Sequence, residues 1–490
     1  MSALAWFAVL LGAPLLGAGM LALIPGERWA SRVNVAASFI GFAASLRLAA
    51  IVLAHGRIVT PGEWFFLDSF NVFLVALTAF VSTTTAIFSG PYMRHELARG
   101  RVDARRLRLY HAMFQLFVFG MFLGQTSNNM AIIWLSLEVA TLATVLLVSL
   151  YRTQAAIAAA WKYLILCGVG ISLALFGTVL LFFTSSEALG HGEAALTWTR
   201  LAAASGQLDP VVMKLAFVFL LIGYGTKVGL APMHAWLPDA HAEGPTPVSA
   251  VLSGLLLNLA LYALVRCKML VDAAAGADFA GRLMMGFGLA ALLVAAFSLH
   301  RQTDIKRMFS FSSIEHMGLM TFAFGIGTPL AGFAALLHMT THSLVKSGIF
   351  FTVGHAAQNM GTQAMARIRG LIAHQPGIGW GLLIGACAIA GFPPFGVFTS
   401  EFLVFSAALH SAPWTTAVLL AGLLVAAAGL FRFVPHMSYG EPPEDAVVVR
   451  ANMLPVWLHL ALALALGVSV PGFLAHWYEQ AAHIIAGGGA

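Results

Sequence analysis

The chain has 490 residues, of which 60% are hydrophobic and only 9% are charged, so most of it belongs in a lipid bilayer. No segment is long and polar enough to form a separate soluble domain. The formal net charge of +6 does not indicate nucleic-acid binding, because the basic residues are distributed loop by loop instead of forming one patch. The sequence lacks a dinucleotide-binding fingerprint, a P-loop and a metal-binding cysteine cluster, so neither a cofactor nor a metal is expected.

Apolar runs of roughly 20 residues follow one another along the chain, and each is long enough to cross a membrane as an α-helix. We count about fourteen, which predicts an all-α polytopic membrane protein with a single transmembrane domain, 1–490. The predicted spans lie near residues 4–25, 30–54, 70–92, 109–126, 129–150, 156–184, 211–235, 247–270, 281–299, 305–327, 329–355, 378–408, 414–435 and 453–474.

Basic residues alternate between the two sides of the predicted bundle. One set of loops is rich in arginine, above all the loop 93–108, and the opposite set has fewer basic residues, among them Arg266 and Lys268. By the positive-inside rule the arginine-rich side faces the cytoplasm. With fourteen spans, both termini then lie on the non-cytoplasmic side.

Two spans contain sequences that cannot continue as regular helix. In the seventh span, Pro232 follows Lys227 and removes a backbone donor. In the twelfth, Gly391-Phe-Pro-Pro-Phe-Gly396 comes just before Glu401. Non-helical backbone at membrane depth is tolerated only inside protein or beside water, so these breaks indicate inverted repeats around a transport site, although proline kinks that serve packing alone are the alternative. The expected parts are N-terminal helices 1–108, a first five-helix repeat 109–270, a second 281–435 and a last helix 453–474.

Ionisable residues lie inside several apolar spans, where a charge costs roughly 2.5–3.5 kcal/mol on insertion scales. Glu138 lies in the middle of the fifth span, and Lys227 lies one turn before the break at Pro232. Burial disfavours the charged form of both groups, so a buried Glu–Lys pair can exchange a proton near neutral pH. The alternative for Glu138 is a neutral or hydrogen-bonded structural carboxyl group.

The eleventh span carries the most regular pattern. His338, His342 and Lys346 recur at i, i+4 and i+8 and therefore share one helical face, which favours a hydrogen-bonded file for protons and water. Zinc binding by the two histidines is the alternative, but no carboxylate or cysteine shares the face. On the tenth span, His316 is a relay candidate and Glu315 a secondary one.

Other charged residues are expected nearer the membrane surface. Lys162, on the sixth span, belongs either inside the bundle or at the cytoplasmic boundary, where its side chain can snorkel. Asp304, Lys306 and Arg307 begin the tenth helix and are expected to form a solvated cytoplasmic rim.

Four motifs resemble the proton-pumping, antiporter-like membrane subunits of respiratory complex I and its relatives. They are Lys227-Val-Gly-Leu-Ala-Pro-Met-His-Ala-Trp-Leu-Pro-Asp-Ala-His-Ala-Glu-Gly-Pro-Thr-Pro-Val-Ser249, Gln302-Thr-Asp-Ile-Lys-Arg307, Ser312-Ser-Ile-Glu-His-Met-Gly318 and Thr341-His-Ser-Leu-Val-Lys346. The likeness runs from about the third span to the thirteenth. Within this family, Ala159-Ala-Trp-Lys-Tyr-Leu-Ile-Leu-Cys167 looks most like the F subunit of hydrogenase-4-type complexes.

The resemblance implies a role for each candidate. Glu138 and Lys227 would be the coupling pair of the first half-channel, and Glu401 would be the exit residue of the second. The central axis would consist of His338, His342 and Lys346. Secondary candidates are Lys162, His234, Asp239, Asn258 and Glu315. The family usually has Lys or His in the eighth span where this chain has Asn258, and because an amide carries no net charge, water or His316 would have to bridge the two halves.

The resemblance therefore implies a subunit that conducts protons across a prokaryotic cytoplasmic (inner) membrane within a redox-driven complex, with no catalysis of its own. Expected partners are other membrane subunits, a peripheral hydrogenase or dehydrogenase module, the lipid bilayer and protons. Three alternatives stay open. They are a subunit of a multisubunit Na+(K+)/H+ antiporter, the membrane partner of a proton-driven inorganic-carbon uptake system, and a scaffold without transport.

Overall fold

A computed structural model describes residues 2–24, 26–444, 446–449 and 451–487. This part of the chain is mostly α-helical, as the apolar runs predict. It includes a short antiparallel hairpin between the second and third helices, formed by β1 (Ile58–Val59) and β2 (Phe66–Leu67).

The helices follow one another with short connections. Those of the first half are α1 Ala3–Leu23, α2 Glu27–His55, α3 Ser69–Ala98, α4 Ala104–Thr126, α5 Met130–Val148, α6 Gln154–Leu189, α7 Trp198–Ala204, α8 Pro210–Val228, α9 Leu237–Glu243, α10 Thr246–Val251 and α11 Leu257–Ala275. Those of the second half are α12 Ala277–Leu299, α13 Ile305–Ile326, α14 Pro329–Met360, α15 Leu371–His374, α16 Pro376–Ile389, α17 Gly396–Ser411, α18 Pro413–Ser438, α19 Leu454–Val468 and α20 Gly472–Ile485. A π-helical turn, Leu252–Leu256, joins α10 to α11.

Within the described residues, ten helical segments are long and apolar enough to cross a membrane, or eleven if the bent pair of α19 and α20 is one span. A multi-pass membrane protein is therefore confirmed. Helices α13 and α14 are also long, but they carry polar and titratable side chains. The rest of the protein buries both helices over most of their length. The count of fourteen spans, the two inverted repeats and the domain bounds stay predictions.

The structure has both of the expected breaks in the membrane helices. Helix α8 ends at Val228, and regular α-helix resumes only at Leu237. Helix α16 ends at Ile389, and α17 begins at Gly396.

The last predicted span, 453–474, is too long. Helix α19 ends at Val468, and α20 leaves it at an angle of 79°. The reason is Pro471, which has no backbone N–H to continue α19 and instead precedes the first residue of α20. Helix α20 buries Trp477 and Tyr478 and leaves His476 and Glu479 exposed.

Small residues allow the helices around α13 to pack closely. Gly288 of α12 and Gly318 of α13 face each other, and a Cβ at either position would overlap the backbone of the opposite helix. Gly281 and Gly325 repeat the arrangement two turns away. Membrane helices associate closely through such small residues. This contact holds the polar helix α13 rigidly against an apolar neighbour.

Candidate functional site

Glu138 and Lys227 form an ion pair between α5 and α8, with 3.8 Å between Oε2 and Nζ. The Lys227 side chain is fully buried and also donates a hydrogen bond to the Thr141 hydroxyl. The Glu138 side chain is 23% exposed and lies on the same face of α5 as the exposed Leu135 and Leu142. The two residues that the sequence proposes as a pair are therefore neighbours, and one of them reaches the outer surface of the bundle.

The break after α8 fixes the position of Lys227. Gly229 adopts a φ of +84°, which favours glycine and ends the helix one residue after Val228. The carbonyl of Thr226 at this end accepts a hydrogen bond of 2.8 Å from the indole Nε1 of Trp236. Lys227 thus lies in the last turn, where the helix dipole favours a cation.

Lys162 lies at the edge of the bundle. Its Nζ is 2.7 Å from Oδ2 of Asp239, its side chain is 44% exposed, and Arg307 bonds to the other oxygen of the same carboxylate. Lys162 is therefore not enclosed in the bundle, and its place at the cytoplasmic boundary stays a prediction. His234, a half-buried residue in the turn after the break, packs edge-on against Phe311.

Lys306 does not belong to a solvated rim. It is buried, and its Nζ donates a hydrogen bond of 2.7 Å to the carbonyl of Gly244. Gly244 is the residue that follows α9, so its carbonyl lies outside the helical hydrogen bonds and needs another donor. Asp304 caps α13 by accepting from the backbone amides of Lys306 and Arg307, and burial raises the pKa of its carboxyl group.

Asn258 joins α11 to α14. Its Nδ2 donates to the carbonyl of Gly254 at 2.9 Å and to Oγ of Ser343 at 2.8 Å. Its Oδ1 is buried and has no hydrogen-bond partner among the residues that the structure describes. Since Ser343 precedes Lys346 by one helical turn, the amide lies beside the central part of α14.

Lys346 is fully buried in α14. Its Nζ donates to the carbonyl of Phe309 at 2.9 Å and lies 5.7 Å from the centroid of the Phe309 ring. Glu315 is buried on α13, close enough to interact electrostatically with Lys346. One carboxylate oxygen of Glu315 and both ring nitrogens of His342 have no partner in the described part of the chain.

The histidines meet between α13, α14 and α17. Nδ1 of His316 is 3.0 Å from Nε2 of His338, and Nδ1 of His338 is 2.9 Å from Oγ of Ser400. His316 is also 4.0 Å from Oε1 of Glu401, and its ring centroid is 5.4 Å from that of His342. His316 is thus within reach of both the α14 histidines and the carboxylate on α17.

Glu401 lies against the second break. Gly391 has a φ of +71°, and a Cβ at this position would overlap the Glu401 carboxylate. The glycine is therefore required both by the backbone conformation and by the space that the carboxylate occupies. Glu401 itself is largely buried.

Sequence reasoning missed several partners of the predicted residues. Thr141, Ser343 and Ser400 each bond to one of them, but hydroxyl residues in membrane helices usually bond to their own helix carbonyls, so no sequence signal distinguished these three. His241 was also missed, although it belongs to a conspicuous motif. It is buried and stacks on Phe350 with 5.0 Å between ring centroids.

Comparisons with known proteins identify the family of this chain. A family model described as NADH:quinone oxidoreductase/Mrp antiporter, transmembrane, matches residues 127–440. The chain is 47% identical over 467 residues to a hydrogenase-4 component F homolog from Methylacidiphilum infernorum (isolate V4), which covers 95% of this chain and 97% of that protein.

Two solved structures share the fold. A chain of the membrane-bound sulfane sulfur reductase, an archaeal respiratory membrane complex, matches with a TM-score of 0.88 and 23% identity over 99% of this chain and 98% of that one. A chain of the Mrp complex from Dietzia sp. DQ12-45-1b matches with a TM-score of 0.87 and 19% identity over 99% of this chain and 98% of that one. This protein therefore belongs to the NADH:quinone oxidoreductase/Mrp antiporter family of membrane subunits, and it is similar to hydrogenase-4 component F.

Proposed function

We propose that this protein translocates protons as one membrane subunit of a redox-driven complex of the hydrogenase-4 or complex I type. The observation that carries the proposal is two groups of polar side chains inside the bundle, the pair of Glu138 with Lys227 and the group around Lys346, His316, His338 and Glu401. We connect them into one series that crosses the bundle from Glu138 to Glu401. Ionisable residues inside a membrane protein are costly, and they mark ion or proton paths by default.

The first part of the series is the pair of Glu138 and Lys227. Lys227 has two partners, the Glu138 carboxylate at 3.8 Å and the Thr141 hydroxyl. In this arrangement a proton that arrives at Glu138 removes the counter-charge of Lys227, and Lys227 can then release its own proton inward. Thr141 would hold the lysine while its charge changes.

The middle of the path runs past Asn258 and Ser343 to Lys346. An amide carries no net charge, but it donates and accepts hydrogen bonds. Asn258 Oδ1, one oxygen of Glu315 and both nitrogens of His342 are buried without partners in the described residues. Buried polar atoms of this kind are normally satisfied by ordered water. All of them lie on α14 or on a residue that interacts with it, which supports a hydrated connection.

The last part of the series is the contact of His316 with His338 and Glu401. A neutral imidazole donates through one nitrogen and accepts through the other, so two histidines 3.0 Å apart can pass a proton between them. Ser400 fixes the His338 ring, and Glu401 would receive the proton beside the broken segment of α16 and α17. We assign Glu401 as the exit residue.

The outer face of α5 supports assembly with another membrane subunit. Glu138 is 23% exposed between exposed leucines, at a depth where lipid would otherwise surround a carboxylate. A neighbouring membrane subunit on this face would shield the charge. The electron-transfer chemistry would reside in a separate peripheral module. By the distribution of basic residues among the loops, both termini would lie on the non-cytoplasmic side of the inner membrane.

The proposal is tested on the intact complex. An affinity tag on this chain would be used to purify its partners, the subunits would be identified, and the complex would be reconstituted in vesicles with an electron donor. We expect a hydrogenase or dehydrogenase module in the purified complex and proton movement that depends on the donor but not on added sodium. A saturable sodium requirement would instead support a Na+(K+)/H+ antiporter subunit, and copurification with an inorganic-carbon uptake enzyme would support that alternative.

A further inference from the structure

A cavity of about 990 Å³ lies away from this series, at the end of α3 that carries the arginine-rich loop. It is enclosed by the last turns of α3, by the second half of α14 and by the segment that precedes α19. Its polar lining side chains are Arg94, His95, Arg99, His355, Gln358 and Asn452. No carboxylate lines the cavity among the residues that the structure describes.

The cavity is electrostatically positive. The guanidinium of Arg99 has no hydrogen-bond or ion-pair partner in the described part of the chain, and Arg94 pairs at 3.2 Å with Glu27 but remains 48% exposed. The nearest buried carboxylate, Glu96, is already bonded to Gln358 at 2.8 Å and to Arg101. It is therefore not available to neutralise the two lining arginines.

Two imidazoles add unsatisfied polar atoms. His355 is 2% exposed, and its Nε2 lies 3.3 Å from the carbonyl of Asn452, while its Nδ1 is buried without a partner among the described residues. Nε2 of His95 is likewise buried without a described partner. His355 and His95 therefore each present one buried ring nitrogen that can bond to a ligand in the cavity.

The rim of the cavity is apolar. Val447 and Val448 line the cavity and have exposed side chains. Guanidinium groups suit the oxygens of a phosphate, and the aliphatic rim suits hydrocarbon, so the cavity matches an amphiphile better than a soluble anion. Basic pockets between membrane helices at the cytoplasmic boundary bind lipid headgroups in this way. We propose that the cavity binds the phosphate headgroup of an anionic membrane lipid, with its acyl chains along Val447 and Val448.

The test compares lipid retention by the purified full-length chain in detergent, measured by native mass spectrometry with added phosphatidylglycerol or phosphatidylcholine. Phosphatidylglycerol is expected to bind in preference to phosphatidylcholine. The double variant Arg94→Gln/Arg99→Gln is expected to lower its affinity about thirtyfold, since each basic group near an anionic lipid contributes about fivefold.

The matched control is Arg105→Gln/Arg106→Gln. It removes the same charge from the first turn of α4 and also breaks one ion pair at the surface, that of Arg106 with Asp103. It is expected to retain wild-type lipid binding. An equal loss of lipid affinity in the control would mean that the lipid is held by general attraction to a basic surface. That result would overturn the proposed binding site.

Two further experiments test the role of the buried imidazole and distinguish a lipid from free phosphate. His355→Leu, with both arginines intact, is expected to weaken binding of phosphatidylglycerol severalfold, and wild-type affinity in this variant would contradict the role of the buried imidazole. Inorganic phosphate is expected to compete poorly, because it cannot use the apolar rim. Full displacement of the lipid by equimolar inorganic phosphate would overturn the assignment to a lipid.

Discussion

His316 and His338 face each other between α13 and α14, with Nδ1 of one 3.0 Å from Nε2 of the other. The helical register of the eleventh span placed His338 with His342 and Lys346, but it could not place His316, which comes from another helix. His316 is also 4.0 Å from Glu401, so it approaches both the α14 histidines and this carboxylate. Its position makes it the junction between the centre of the proposed path and its exit.

His316→Ala is expected to reduce proton flux to nearly the background of vesicles that lack the protein, because it removes this junction. Ser400→Ala is expected to cause a smaller loss, since His338 keeps its contact with His316 and loses only its orienting hydroxyl. Flux is measured with a pH-sensitive dye in membrane vesicles at matched expression. His410→Ala, an exposed histidine on the same helix as Ser400, is the control, and an equal loss in it would contradict a specific role.

Lys227→Ala is expected to abolish proton flux while the protein still inserts, because it leaves Glu138 without its counter-charge. Lys214 lies on the same helix α8, but its ammonium group is over the Phe279 ring and outside the proposed path. Lys214→Ala is therefore expected to retain wild-type proton flux. The same dye assay is used, with protein levels determined by immunoblot. Wild-type flux in a well-expressed Lys227→Ala variant would rule out the pair as a coupling element.

Gly391→Ala is expected to impair flux, because the new Cβ would displace the Glu401 carboxylate and would strain a backbone with a φ of +71°. Gly286→Ala adds the same methyl group to α12 at a position with no atom nearby, so it is expected to behave as wild type. Proton flux and thermal stability in detergent are measured for both. A Gly391→Ala variant with unchanged flux would mean that the position of Glu401 is not critical.

Asn258→Lys is expected to be neutral or harmful to flux, because a lysine would lose the bonds of the amide to Gly254 and Ser343 and would add a second cation near Lys346. The variant is compared with His316→Ala and with the double variant at matched expression. Increased flux in Asn258→Lys, together with full flux in His316→Ala, would contradict a bridge made by water and His316.

Arg266→Leu is expected to destabilise the protein by about 3–5 kcal/mol, because it leaves a buried carboxylate unpaired. Nη2 of Arg266 is 2.8 Å from both oxygens of Asp68, and the guanidinium lies 4.4 Å from the Trp198 ring. Arg282→Leu removes an ion pair with Asp278 whose side chains are 75% and 84% exposed, and little change is expected there. Thermal unfolding in detergent is measured for both, and equal stabilities would contradict a structural role for the buried pair.

The sequence was most informative where a residue type conflicts with its surroundings. Charged side chains in apolar spans located Glu138, Lys227 and Lys346, and proline with glycine located both helix breaks. Such residues are costly in lipid, so their presence alone is a signal. The contact of Glu138 with Lys227 followed from this reasoning only as a possibility, and the structure supplies the distance.

Features that depend on contacts between distant segments could not be predicted. Arg266 looked like one of the basic residues near a span end, but aromatic rings and Asp68 enclose it. Lys306 looked like a surface residue at a helix start, but it satisfies the carbonyl of Gly244 on another segment. In both cases the local sequence is compatible with an exposed side chain, and only the tertiary packing determines that the side chain is buried.

The most direct test of the proposed path is donor-driven proton uptake by vesicles that contain the intact complex with Lys346→Met. Lys346 is fully buried at the centre of the series, and methionine preserves much of its length without the charge. We expect the complex to assemble and proton uptake to fall to background, while Lys162→Met at the edge of the bundle retains most of its activity. Wild-type proton uptake in an assembled Lys346→Met complex would contradict the central claim that protons cross along this series.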